Sequence, residues 1–370
     1  MRIGIITLPL HTNYGGILQA YALQTVLERM GHDVCLIEKK RKLLPFPLWK
    51  APFVYGKRIL KNLAGHPFPI FYEQKINHER PVVSQNTDKF IDRYIKRRIV
   101  DDYSDIKETD FDAIVVGSDQ IWRPKYFHEI EHAFLDFTEG WNIKRIAYAA
   151  SFGTDIWEYT NVQTDHCKKF VKCFDGVSVR EKSGVDLCHK HLAVRAVHVL
   201  DPTMLLSKKD YICLFENIAT KQSNGTLLNY ILDETPEKVA LIDMIAQGKR
   251  LQPFRVNAVK DINQPIEKRI APSVEQWLRG FYDAEFVVTD SFHACVFSIL
   301  FNKPFFAMGN ASRGMSRFMS LLTSFGLEDR LITDISEYTE NVSIDWNKVN
   351  SLLNEYRKYS LDFLKDALNR

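Results

Sequence analysis

In the segment Val287-Val288-Thr289-Asp290-Ser291-Phe292-His293-Ala294 an apolar strand runs directly into a helix that carries a hydroxyl and an imidazole in its first turn. Free N–H groups at a helix start attract anions, so a carboxylate or phosphate is expected over Ser291, Phe292 and His293. The helix start alone lowers a histidine pKa, whereas a bound dianion raises it. An anionic substrate would therefore help to protonate His293, as a general acid requires. The plainer reading makes His293 a structural cap or a hydrogen-bonded core residue.

Two earlier turns have the same form. Asn13-Tyr14-Gly15-Gly16 follows the first apolar run, and its paired glycines let the backbone approach a ligand closely. It is not G-x-G-x-x-G, so a dinucleotide fingerprint is absent. Val116-Gly117-Ser118-Asp119-Gln120 is the second, where Asp119 serves equally well as a helix cap. Arginines near strand ends complete the set: Arg180 after Gly176-Val177-Ser178-Val179, and Arg313 and Arg317 with Ser316 after Pro304 to Met308. A guanidinium pairs bidentately with carboxylate or phosphate; on a surface it is merely solvated. The functional reading gains from convergence of these turns on one cleft.

The elements that must position these residues follow from periodicity. Ile3 to Leu8 reads as a strand, Ile17 to Met30 as a helix stopped by Gly31, and Val34 to Ile37 as the next strand. This β-α-β opening implies a parallel sheet covered by helices on both faces. Strands are expected again at 113–117, 145–149, 176–179 and 196–200, with a hinge at Asp201-Pro202. A second set follows: strands at 226–232, 251–257, 285–289 and 304–308, with helices at 239–246, 273–282 and 292–301. A closing helix is expected from Trp346 to Leu368. The chain thus divides into an α/β domain over 1–205, a second over 206–345 that carries the Ser291–His293 turn, and a terminal helix over 346–370. Ligands in tandem α/β domains bind in the cleft at the carboxyl ends of the strands.

One segment breaks the pattern. From Lys39 to Tyr72 no acidic residue occurs, while cations such as Lys50, Lys57, Arg58 and Lys61 alternate with Trp49, Phe53 and Tyr55. Such a stretch suits an anionic bilayer surface, or else a basic linker packed on the domain. Prolines at 45, 47 and 52 argue against one clean amphipathic helix.

Composition bounds the rest. The 370 residues suggest two domains at about 150 residues each, and 45% hydrophobic with 26% charged residues describes a folded chain. Lys+Arg 49 against Asp+Glu 46 gives +3, which advertises no nucleic-acid partner. No run of about 18 apolar residues is present. The N-terminal Met1-Arg2-Ile3-Gly4-Ile5-Ile6 is a buried-strand pattern without the layout of a signal peptide, so a cytoplasmic location is expected. Six cysteines form no C-x-x-C pair; Cys35, Cys173, Cys213 and Cys295 sit in apolar runs and are expected to be small buried hydrophobes. Cys188, His189 and His191 form the one metal-like cluster, without a second ligand pair, and read better as a solvated helix end; no metal is expected.

In order along the chain, the segments Asn13-Tyr14-Gly15-Gly16 with Leu18-Gln19-Ala20-Tyr21-Ala22-Leu23-Gln24, Gly117-Ser118-Asp119-Gln120-Ile121-Trp122, Val177-Ser178-Val179-Arg180-Glu181, Asp201-Pro202-Thr203, Thr289 to Ala294 and Arg313-Gly314-Met315-Ser316-Arg317 resemble the polysaccharide pyruvyl transferase family. The resemblance covers about residues 1 to 330, and the basic insertion at 39–72 is no part of it. It implies two Rossmann-like domains in a GT-B-like arrangement with a central cleft. It also implies transfer of a pyruvyl group from phosphoenolpyruvate to two hydroxyls of a sugar, giving a cyclic ketal, in bacterial surface-polysaccharide synthesis. By position His293 matches the family's essential histidine, and Arg180 an arginine that holds phosphoenolpyruvate; Arg313 falls where relatives carry a basic residue of varying type.

Phosphoenolpyruvate is then a co-substrate, with no further cofactor, and its carboxylate and phosphate need two anion sites. Asp119 and Asp290 are the candidate proton acceptors for the sugar hydroxyls. The expected acceptor is a sugar on a polyprenyl diphosphate, which would account for a basic segment touching the cytoplasmic face of the inner membrane. Two other readings share the fold: a GT-B glycosyltransferase using a nucleotide sugar, and a non-catalytic polysaccharide-assembly protein.

Overall fold

A computed structural model of the chain describes residues 1–40, 48–65, 68–309, 314–339 and 343–369. The first sheet is wholly parallel. Its strands are β1 (Arg2–Ile6), β2 (Asp33–Lys39), β3 (Arg97–Val100), β4 (Ala113–Val116), β5 (Lys144–Ala150), β6 (Gly176–Val179) and β7 (Val197–His198), in the order β3-β2-β1-β4-β5-β6-β7. Ile3, Ile5, Val115 and Ile146 from three neighbouring strands are fully buried, as a sheet covered on both faces requires. The second sheet, also parallel, is β12-β11-β10-β8-β9, built from β8 (Leu227–Tyr230), β9 (Pro253–Phe254), β10 (Phe286–Thr289), β11 (Phe305–Met308) and β12 (Leu331–Ile332).

The helices up to the end of the first sheet are α1 (Tyr14–Arg29), α2 (Ala51–Leu63), α3 (Tyr72–Val83), α4 (Gln85–Tyr94), α5 (Asn161–Val171) and α6 (Lys182–Leu187). Those that follow are α7 (Lys208–Glu216), α8 (Pro236–Lys249), α9 (Ile266–Arg269), α10 (Val274–Asp283), α11 (Phe292–Leu300), α12 (Met315–Phe325) and α13 (Trp346–Asn369). Two Rossmann-like units in tandem are therefore present, as the alternating pattern implies.

The closing helix α13 returns to the first sheet rather than staying on the second. Phe363 and Ala367 cover Gly176 of β6, where an added Cβ would lie 2.7 Å from the Ala367 Cβ. Ser360 accepts the Leu200 amide, and Arg357 donates to the Met204 carbonyl. Tyr356 of the same helix meets Phe325 of α12 edge-on at 6.0 Å, so α13 touches both units.

Four local readings change. β3 was not expected, because its Arg97-Arg98 pair masks an edge strand; Arg97 is balanced by Glu38 and Asp92. A helix does form inside the basic segment: Pro52 lies in the first turn of α2, where its missing N–H costs nothing. Pro45 and Pro47 lie outside the described residues. Cys173 and Cys213 are exposed, not buried. Cys188 is buried, and His191 stacks on Trp157 with ring centroids 4.5 Å apart, a packing role. Among the described residues no helix is long and apolar enough to cross a membrane.

Candidate active site

The cleft between the sheets, about 470 Å³ in volume, opens at the carboxyl ends of β1, β4, β8 and β10. Asn13, Tyr14, Gly15 and Asp119 line it from one domain, Ser291 and His293 from the other. A larger cavity of about 640 Å³ adjoins it, sharing Leu8, His11, Thr12 and Tyr126, but lacks both His293 and Asp119. The expected site residues Asn13, Tyr14, Gly15, Asp119, Ser291 and His293 line the smaller one.

His293 occupies the first turn of α11, after β10 has delivered the chain to the cleft. Its ring lies against Gly15 of the opposite domain, so closely that a Cβ on Gly15 would fall within the imidazole. Glycine is needed here for space, not for backbone conformation. Nε2 stands 3.6 Å from Asp201 Oδ2 and is buried without a hydrogen-bond partner among the described residues. That separation is longer than a hydrogen bond. The Ser291 side chain caps no backbone group of α11, and the residue lines the cleft.

Asp201 is the residue that sequence reading underrated as a hinge. Its Oδ1 accepts from the Thr203 amide at 3.0 Å and hydroxyl at 2.7 Å, an Asx-turn held by Pro202. Oδ2 accepts from Arg180 at 2.7 Å and Ser118 at 3.2 Å, and faces His293. Burial alone would raise its carboxyl, but neighbouring His293 and then Arg180 and Thr203 hold it far below the usual carboxylate range. The Asp-Pro-Thr string signalled the turn; nothing local signalled its partners.

Arg180 leaves β6 with no exposed side-chain surface and forks between Asp201 and Asp119, the latter at 2.9 Å. Burial opposes its charge, and the two carboxylates more than restore it, raising it above the ordinary guanidinium value. Only Nε lacks a partner among the described residues. Arg180 therefore sits under the cleft floor, not in its wall. Asp119, which burial would raise, is lowered by Arg180, His293 and Arg317, and Asn13 approaches its other oxygen at 3.5 Å. A carboxylate held this low is a poor proton acceptor.

Phe292 lies between two guanidiniums, its ring 4.7 Å from Arg180 Cζ and 5.7 Å from Arg317 Cζ. Arg317, in the first turn of α12, is pushed down to about 10 by burial and the Arg180 charge, against Asp119 and Glu181. Glu181 is raised, chiefly by burial, although its carboxylate accepts the Phe152 and Gly153 amides. Two arginines share one buried patch and repel each other. An incoming anion would relieve that repulsion.

The other expected residues divide. Tyr14 donates to the Pro272 carbonyl at 2.8 Å and stacks on Trp277, so it joins the domains. Gly16 packs beside Asn13. Ser118 is buried, bonding Gln19, Asp201 and the Ala149 carbonyl, and supports the site from behind. Ser316 Oγ is buried without a hydrogen-bond partner among the described residues, next to Arg317. Arg313 lies outside the described residues. Asp290 is withdrawn from the chemistry: it accepts the Leu232 and Asp233 amides and pairs with Lys238 at 2.6 Å, a fully occupied structural carboxylate.

A sequence model of the polysaccharide pyruvyl transferase family matches residues 13–312. No curated protein sequence matches the chain. Among solved structures the chain is similar to a UDP-GlcNAc 2-epimerase from Methanocaldococcus jannaschii, at 10% identity over 96% of this chain and 92% of that one, with TM-score 0.45. It is similar to a UDP-GlcNAc 2-epimerase from Neisseria meningitidis bound to UDP-GlcNAc, at 9% identity over 98% and 94%, with TM-score 0.46. MurG from Acinetobacter baumannii is similar at 10% identity over 100% and 95%, with TM-score 0.38.

Proposed function

We propose that this chain, which belongs to the polysaccharide pyruvyl transferase family, moves a pyruvyl group from phosphoenolpyruvate onto two hydroxyls of a sugar. The observation that carries the reading is His293, at a helix start on one domain, pressed against the Gly15 turn of the other with Asp201 beside Nε2. An imidazole so held suits proton transfer to a substrate lying across the cleft.

The donor carries a carboxylate and a phosphate. The helix start at Ser291 and the Asn13 turn offer N–H groups to one anion, and Arg317, which like Arg180 lies behind the cleft lining, lends positive potential to the other. Arg180 acts as a positioning residue in this reading. It fixes Asp201 and Asp119, and Asp201 fixes the imidazole.

His293 delivers a proton to the methylene carbon of phosphoenolpyruvate, C2 becomes electrophilic, and the first sugar oxygen bonds to C2. The second sugar oxygen then bonds to C2 as the C2–O bond to phosphate breaks. Of the two hydroxyl protons, one replaces the proton given to carbon, and the other leaves with inorganic phosphate. The products are a cyclic ketal and phosphate.

This reading puts the acceptor in the adjoining cavity, which shares Leu8, His11, Thr12 and Tyr126 with the cleft. A sugar on a polyprenyl diphosphate is the acceptor class this reading favours. The test is acceptor-dependent phosphate release from phosphoenolpyruvate, compared for wild type and His293→Ala. Release by wild type alone supports the assignment. Equal release by both removes His293 from the chemistry, and release of nucleoside diphosphate from a nucleotide sugar instead favours glycosyl transfer.

A further inference from the structure

Helix α2 has a face that belongs to no core. Among the described residues none of its side chains is buried. Its inner side is fixed to the start of α3: Arg58 pairs bidentately with Glu73 at 2.7 and 2.9 Å and donates to the Ile70 carbonyl, and Asn62 exchanges two hydrogen bonds with the Phe68 backbone. Tyr55 meets Phe71 edge-on at 5.0 Å. The helix is therefore held in one rotational setting.

At 100° per residue the opposite side collects Phe53, Leu60 and Leu63, with Trp49 in the turn before. They are 79%, 68%, 80% and 79% exposed, respectively, which leaves a contiguous apolar stripe in water. Lys57 and Lys61 follow along one edge of that stripe, both exposed, and Lys50 stands over the Trp49 ring. The sequence from 39 to 72 carries eight Lys or Arg residues and no carboxylate side chain. An apolar stripe edged only by cations complements a surface that is apolar within and anionic outside.

We infer that α2 is an interfacial anchor that lies in the headgroup layer of an anionic bilayer, with Trp49, Phe53, Leu60 and Leu63 at the acyl boundary and the lysines on lipid phosphates. The helix is too short and too charged to span. Its bracing partner α3 supplies Ile76, Arg80 and Val83 to the wall of the adjoining cavity. The anchor thus sets that cavity beside the membrane. If the transfer reading holds, a lipid-carried sugar would enter there, but the bilayer contact itself does not depend on it.

Vesicle flotation of the full chain tests the inference without donor or acceptor. Phosphatidylcholine vesicles containing phosphatidylglycerol should carry the protein up the gradient, and pure phosphatidylcholine far less. Phe53→Ser with Leu60→Ser, and separately Lys57→Glu with Lys61→Glu, should each weaken partition roughly tenfold or more with thermal unfolding unchanged. Absence of flotation with the anionic vesicles overturns the proposal. So does a concentration-dependent dimer that the Phe53→Ser, Leu60→Ser variant dissolves, since the stripe would then belong to a second copy. Either failure leaves phosphate release from phosphoenolpyruvate untouched, so the two readings fall separately.

Discussion

At the residue scale the site is a chain of dependence running from Arg180 to Asp201 to His293. Asp201→Asn keeps the shape but removes the charge opposite Nε2. It is expected to lower kcat roughly a hundredfold while changing the KM for phosphoenolpyruvate little, because Asp201 orients the proton donor and does not hold the donor substrate. A matched rise in KM would instead make it a binding residue. Gly15→Ala makes a sharper case. Alanine improves helix propensity, yet its methyl would enter the His293 ring, so activity should collapse in a protein of unchanged helicity. Circular dichroism beside a phosphate-release assay checks both halves.

The same carboxylates set an acid limb of stability. Asp119 and Asp201 have folded pKa values below the unfolded value of about 3.9. Their contribution is complete above that unfolded value and is lost as pH falls toward the folded values. Glu181, raised by burial, works in the opposite sense and opposes folding as pH rises through its unfolded value. Urea midpoints measured downward from neutral pH should fall steeply, and Asp201→Asn should start lower and fall less. Parallel curves for the two proteins would contradict the assignment.

At the scale of elements, most of what positions the site was readable. Three strand-to-helix turns, after β1, β6 and β10, carry site residues, whereas β4 ends in a turn at Gly117–Gln120 with no helix behind it, so Asp119, read as a candidate cap, caps none. The legible part ends where distant segments must meet. Residues 119, 180, 201 and 293 come from four elements, and no periodicity within any of them states that their side chains share one buried cluster. Asp290 shows the converse. It stands next to Ser291 in the most suggestive motif, yet backbone amides and Lys238 consume it. β3 is hidden because an edge strand tolerates the charges that hydrophobic patterning excludes, and α2 because Pro52 reads as a breaker until it falls in a first turn. The strap α13 was legible as a helix but not as one that crosses back. Gly176→Val tests that crossing: its side chain would collide with Ala367 and Phe363, destabilising the fold by about 1–3 kcal/mol in urea titration. No change would mean that α13 does not seat on β6.

At the scale of the whole molecule, the donor would bridge the domains, since the helix start at Ser291 and the Asn13 turn belong to different sheets. A ligand bound to the native state alone adds about 2.7 kcal/mol of stability at a hundredfold excess over Kd. Phosphoenolpyruvate should therefore raise the Tm of the wild type. Arg317→Met, which removes one cation of the repelling pair, should lose most of that rise even if its own Tm is higher. A cavity of about 640 Å³ shares Leu8, His11, Thr12 and Tyr126 with the cleft, and the basic helix α2 is braced on the helix that lines that cavity.

The central claim is that carbon from phosphoenolpyruvate ends on the acceptor. Mass spectrometry of a polyprenyl-diphosphate-linked sugar incubated with the full chain and phosphoenolpyruvate measures this directly. The account predicts an acceptor heavier by one pyruvyl ketal, with one inorganic phosphate formed per product. An unchanged acceptor with phosphoenolpyruvate intact, across galactose-, glucose- and N-acetylmannosamine-containing carriers, would contradict it.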